Sequence, residues 1–299
     1  MFAGESMKKL KDRLTTVIFS LIFLAGVSVM LYPTFSNWWN RHMASHAVSD
    51  YKEAVTKMDD EEQQRVLQEA QEYNEKLFEL YAPFSDFEQL DGYDKILDVS
   101  GTGIMGYVSI PNINIELPIY HGTSEGVLQI ASGHIQGSSF PVGGLNTHAV
   151  ISGHRGLPSA RLFTDLDQIV EGDTFTINVL NDVLTYEVEK ILIIEPTEID
   201  KLAIIPNEDE VTLMTCTPYG INTHRLLIRA HRIKSVNDKR VKVGADAIQV
   251  DTMTVIPIFA APMVLALLIW WSVTGKRQKH HYIDKYITRE LSGDDSREH

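Results

Sequence analysis

Cys216 is the only cysteine in a chain of 299 residues. It ends the apolar run "EVTLMTC" and is followed by Thr-Pro-Tyr-Gly. A lone thiol forms no internal disulfide, so it is either an inert core residue or a nucleophile. The thiolate attacks, not the thiol, and a free cysteine titrates at about 8.5. Attack on an amide therefore needs a neighbouring base or cation, and donors for the oxygen that gains charge.

The histidine candidates in the middle region of the chain are His121, His134, His148, His154, His224 and His231. His154 is the preferred partner. It follows "AVIS" at the end of a strand, in "SGHRG", where glycines allow close approach. His148 opens the same strand and should lie at its other end. The arginine candidates are Arg155, Arg161, Arg225, Arg229 and Arg232. Arg225 opens the strand after Cys216, and Pro218 and Gly220 between them let the chain turn back. If those two strands pair antiparallel, Arg225 lies beside the thiol, while Arg229 lies too far along. A guanidinium stays charged and donates to a developing oxyanion. An ordinary surface histidine and an ordinary surface arginine remain the alternatives.

The elements that must position these groups are short strands. "MGYVSI", "IELPIYHG", "NTHAVISGH", "DTFTINVL", "DVLTYEVEKILIIEP", "VTLMTC" and "HRLLIRAHRI" are rich in Val, Ile, Thr and Tyr and are separated by turn formers. Their succession without long intervening helices predicts a β-barrel or sandwich. "SARLFTDLDQI" reads as a short helix between strands. Residues 45–81 lack Gly and Pro and predict one or two amphipathic helices, either a solvated spacer or a segment packed on the domain. Pro83 ends that stretch. "APFSDF" is a linker or a cover.

The composition is acidic: 40 Asp and Glu against 27 Lys and Arg, net −13. This argues against a nucleic-acid binder, which needs a basic face. Two charge-free apolar runs, Leu14 to Tyr32 and Met253 to Val273, are each long enough to cross the roughly 30 Å of bilayer hydrocarbon. Lys8, Lys9, Lys11 and Arg13 precede the first; Lys276, Arg277 and Lys279 follow the second. Both termini are then expected in the cytoplasm and the middle outside. The alternative for the first run is a cleaved signal peptide, although its apolar core exceeds the usual ~7–15 residues.

"TLMTC" fits the TLxTC motif of sortases, and "TLMTCTPYGINTHRLLIRAHR" with "SGHRGLPSARLFTDLDQI" resembles the class C, pilus-assembling sortases of Gram-positive bacteria. The resemblance implies a mainly β fold: a closed eight-stranded barrel with short helices, here with an N-terminal helical extension and two transmembrane helices. It implies His154, Cys216 and Arg225 as the catalytic set, with Leu213 and Thr215 of the motif as substrate contacts. The thiolate would cleave an LPxTG-like signal between Thr and Gly, and a lysine of another pilin would resolve the thioacyl enzyme as an isopeptide. His would serve as acid to the leaving amine. No cofactor or metal is implied. Class C enzymes share a lid with Asp-Pro-aromatic; here Ala82, Pro83 and Phe84 stand there, with Asp86 or Asp91 as substitutes for the missing carboxylate.

The expected layout is a cytoplasmic N-terminus and first anchor or signal peptide over 1–40, an extracellular helical extension over 41–81, a lid and loop over 82–105, and the barrel over 106–235. A connector spans 236–252, a second membrane helix 253–275 and a cytoplasmic tail 276–299. The leading function is a membrane-anchored transpeptidase whose partners are pilins with LPxTG-like signals and an acceptor lysine. The alternatives are a sortase that attaches proteins to peptidoglycan, and a non-catalytic surface scaffold with a buried Cys216.

Overall fold

The structure, a computed structural model, describes residues 2–234. The second apolar run, the connector before it and the tail after it lie outside the described residues.

Helix α1 runs unbroken from Phe2 to Lys57 and so crosses the boundary expected at residue 40. Among the described residues it is the helix long and apolar enough to span a membrane, with a mean hydropathy of 2.4 in its most apolar window. Asp59 then starts α2 (Asp60–Glu79) by accepting the Glu62 N–H at 2.8 Å. Val66, Ala70, Tyr73, Asn74 and Leu77 form the buried stripe of α2, so this segment packs on the domain. Asn74 sits in that stripe because it exchanges two hydrogen bonds with the backbone of Phe140, at 3.1 and 2.7 Å. Pro83 opens a single turn, α3 (Pro83–Asp86).

Eight strands follow: β1 (Ile104–Ile110), β2 (Ile115–His121), β3 (Ser132–His134), β4 (Thr147–Ser152), β5 (Thr174–Val179), β6 (Asp182–Ile194), β7 (Asp209–Thr217) and β8 (His224–Arg232). They close a barrel in the order β1-β2-β3-β4-β7-β8-β6-β5, as expected. The β2–β3 and β4–β7 pairs are parallel and the others antiparallel. A short helix, α4 (Glu125–Leu128), precedes β3.

Alternation along β7 sorts its side chains. Val211, Leu213, Thr215 and Thr217 are buried in one set; Glu210, Thr212, Met214 and Cys216 form the other. Val211 and Leu213 join the main core with Ile151, Phe163, Phe175, Leu226 and Ile228. Each fully buried aliphatic or aromatic side chain contributes roughly 1.5–3 kcal/mol. A second apolar cluster, Val150, Ile194, Leu202 and Leu227 with Phe84, Ile135, Leu192 and Met214, lies on the outer face of β4, β7 and β8.

The expected helix over "SARLFTDLDQI" is reduced to one 3-10 turn, Leu166–Gln168. The Phe163 N–H goes to the carbonyl of His154 at 3.1 Å instead of to a preceding helical turn. Phe163 is fully buried, and its ring fills the space above Gly153, where a Cβ would come within 2.7 Å. The segment is thus committed to holding the chain around His154.

Candidate active site

β7 lies between β4 and β8, and each neighbour brings one candidate to Cys216. Across the antiparallel β7–β8 ladder Cys216 faces Arg225 directly. Such partners place their Cβ atoms roughly 4.5–5.5 Å apart on one face. On the other side the parallel β4–β7 ladder ends at Ser152 opposite Met214. His154 and Cys216 stand at matching positions just beyond that pair. The backbone continues the alignment: the Gly153 N–H donates to Met214 O at 3.1 Å, and Thr215 Oγ1 donates to Gly153 O at 2.7 Å. Histidine, thiol and guanidinium thereby gather at one end of the barrel.

The three groups keep partial access to solvent. Cys216 is half-buried and the His154 side chain is 28% exposed. His154 Nε2 lies 3.8 Å from the carboxylate of Glu125, on α4. Arg225 Nη1 donates to the carbonyls of Asn222 at 3.3 Å and His224 at 3.1 Å, which tucks the guanidinium under the β7–β8 loop. An anionic sulfur with imidazole and guanidinium close by can attack a carbonyl, protonate a leaving amine and stabilise the oxyanion between them.

Arg155 braces the loops that carry these groups. Its Nη2 pairs with Asp167, its Nη1 donates to Thr217 Oγ1 at 3.4 Å, and its guanidinium lies 5.8 Å from the Tyr219 ring centroid. The loop after His154 is therefore tied to the loop after Cys216. Arg155 thus has a tertiary role that its position in the sequence does not disclose. Glu125 and Asp167 carried no signal in the sequence.

Leu213 and Thr215 do not line the site through their side chains. Leu213 is fully buried in the barrel interior, and the buried Thr215 hydroxyl is spent on Gly153. The period of two that turns Cys216 outward turns both of these inward. The structure thus corrects the expectation that they contact substrate.

His148 and Arg229 are equally excluded, as their strand positions predict. His148 lies buried at the opposite end, hydrogen-bonded to Thr212 Oγ1 at 2.7 Å and Ala203 O at 3.1 Å. Burial holds its pKa below the ordinary imidazole value. Arg229 forms a two-pronged pair with Glu210 at 2.7 and 2.5 Å. His134 is buried among Tyr93, Phe140 and Ser139, and burial pushes its pKa down to about 4. Neither His134 nor His148 is available as an acid or base in water.

Phe84 packs in the outer cluster with Met214, one step down the same face from Cys216. The approach is close: a Cβ on Gly137, whose φ is +93°, would come within 2.9 Å of Phe84 Cα. Asp86 forms no ion pair with Arg225 among the described residues. Its carboxylate accepts the Ala82 N–H at 3.3 Å, inside its own turn. The short spacing from Ala82 to Asp86 favours this local bond over a charged partner across the site.

A family model described as "Sortase domain" matches residues 108–233. The solved structure of sortase C1 from Streptococcus agalactiae is similar, with 46% identity and a TM-score of 0.59, over 64% of this chain and 99% of that one. Sortase C from Clostridium perfringens, solved with the C-terminal cell wall sorting motif, is 41% identical with a TM-score of 0.56, over 64% of this chain and 100% of that one. Sortase D from Bacillus subtilis is 31% identical over 115 residues, 38% of this chain; the match spans 55% of that relative, about half its length.

Proposed function

The chain belongs to the sortase family, and we propose that it is a membrane-anchored cysteine transpeptidase of the class C type that joins pilin subunits. One observation carries this reading: Cys216 lies on the middle strand of three, directly opposite Arg225 and level with His154. Cys216 is the nucleophile, Arg225 the oxyanion donor and His154 the acid. The sulfur bonds to the threonine carbonyl carbon of an LPxTG-like signal. The bond to the glycine nitrogen breaks, and that amine takes the proton of His154. A lysine amine of a second pilin then attacks the thioacyl carbon, passes its proton to His154 and releases the thiolate. An isopeptide results.

The likeness to sortase C of Streptococcus pneumoniae, a structure that bears on pilin substrate specificity, supports pilins as partners. Pro83 and Phe84 form a lid held by packing of Phe84 on the outer cluster. The basic residues flanking the two apolar runs support cytoplasmic termini and a catalytic domain on the outer side of the membrane. Mass spectrometry of the parent and Cys216→Ala after incubation with an LPxTG-type peptide is the test. A thioacyl adduct on the parent alone is expected. An adduct on neither protein, with the lid opened by Phe84→Ala, overturns the proposal. Purified pilin should yield covalent ladders; a product joined only to a wall precursor would overturn the pilin assignment.

A further inference from the structure

Helix α1 meets the barrel at two levels. Trp38 and Trp39, both about half exposed, follow the apolar run as interfacial aromatics do. On the same stretch, Asn37 Oδ1 accepts the Arg161 N–H at 3.0 Å, and Asn40 Nδ2 donates to Ser159 O at 2.8 Å. Ser159 and Arg161 belong to the loop that follows His154. Farther along the helix, the Tyr51 hydroxyl donates to Met105 O at 3.2 Å and accepts the Leu180 N–H at 2.8 Å.

Strand directions tell which end each level touches. Cys216 stands where β7 finishes, with the finish of β4 and the start of β8 beside it. Met105, near the start of β1, and Leu180, in the β5–β6 turn, stand at the opposite end. From Asn40 to Tyr51 the helix advances roughly 16 Å, close to the roughly 17–20 Å length of a typical strand. A rigid helix held at both levels fixes the barrel's sense relative to the apolar run. The end with the thiol lies at the level of the tryptophans, and the far end points away from it.

That near end is partly apolar. Tyr219 and Ile221, on the β7–β8 loop, are 61% and 68% exposed. The Tyr219 ring lies over Gly156, in the very loop that Asn37 and Asn40 hold; a Cβ there would sit 3.1 Å from it.

We propose that the Cys216 end of the barrel rests on the bilayer surface, with Tyr219 and Ile221 among the lipid headgroups. The patch packs on the loop to which Asn37 and Asn40 of α1 are bonded. It places the thiol where peptides tethered in the same leaflet arrive first. This rests on the reading of α1 as a membrane anchor.

The test uses the full chain with Cys216→Ala, so that no native thiol takes label. Ile221→Cys, or Leu145→Cys as an exposed control on the loop before β4 at the far end, carries a fluorophore. Each protein, with its melting temperature checked against Cys216→Ala, is reconstituted in phosphatidylglycerol vesicles containing a headgroup-attached quencher. Several-fold stronger quenching at position 221 than at 145 is expected. Equal quenching in protein that stays in the vesicles through an alkaline carbonate wash overturns this proposal and leaves the anchor intact. Protein released by the wash overturns both.

Discussion

On the outer face of β4, β7 and β8, one end holds His148, Glu210, Thr212 and Arg229, and the other holds His154, Cys216 and Arg225. The same three strands supply a histidine and an arginine to each end. At the first end every group is satisfied: Glu210 takes both prongs of Arg229, and His148 is bonded on both ring nitrogens. The segment around Leu202 and Ala203 covers it. At the second end the thiol is half-buried, and the His154 ring lies in loose contact with Glu125. Residue type does not separate structure from chemistry here. What separates them is whether hydrogen-bonding capacity has been used up, and whether water and a peptide can enter.

The sharpest way to break this contrast is to truncate the two arginines separately. Arg225→Ala should lower turnover by roughly 10²–10³-fold, the loss typical of an oxyanion donor, with little change in melting temperature. Arg229→Ala should do the reverse. It leaves Glu210 charged and buried at 3% exposure, which typically costs about 3–5 kcal/mol of stability, while the folded fraction keeps its turnover. Turnover of a peptide and urea unfolding on both variants check this. Equal effects on both quantities would erase the distinction.

Acid should weaken the buried histidines next. The folded-state pKa of His134 is about 4, and that of His148 is also depressed. An unfolded imidazole titrates near about 6.5, so between these values the unfolded chain binds more protons. Stability is therefore fully present above about pH 6.5 and is lost as pH falls toward 4. Across that window His134 alone accounts for on the order of 3 kcal/mol. Urea midpoints at about pH 7.5, 6 and 4.5 test it; a flat series would mean that these sites hydrate freely.

The smallest effect concerns the lid. Phe84→Ala removes a ring from the outer cluster beside Met214. Alkylation of Cys216 should quicken, with only a small change in global stability, because Phe84 lies outside the main core. An unchanged alkylation rate would show that Phe84 does not guard the thiol.

The amino-acid sequence by itself marked the strands and the candidate reactive atoms. Alternation of apolar residues marked the strands. Glycine and proline marked their ends, and a lone cysteine closing "VTLMTC" marked the candidate nucleophile. These signals are local, set by the side-chain period and by backbone freedom over a few residues. Tertiary structure decided which of the candidates meet. The parallel β4–β7 register places His154 level with Cys216, and the same alternation turns Leu213 and Thr215 inward. Long-range bonds buried Asn74 against Phe140 and tied Asn37 and Asn40 to the "SARLFTDLDQI" segment after His154. Those partners lie far apart along the chain. Their pairing is chosen by closure of the barrel and by the need to satisfy buried polar groups, and no short stretch encodes either.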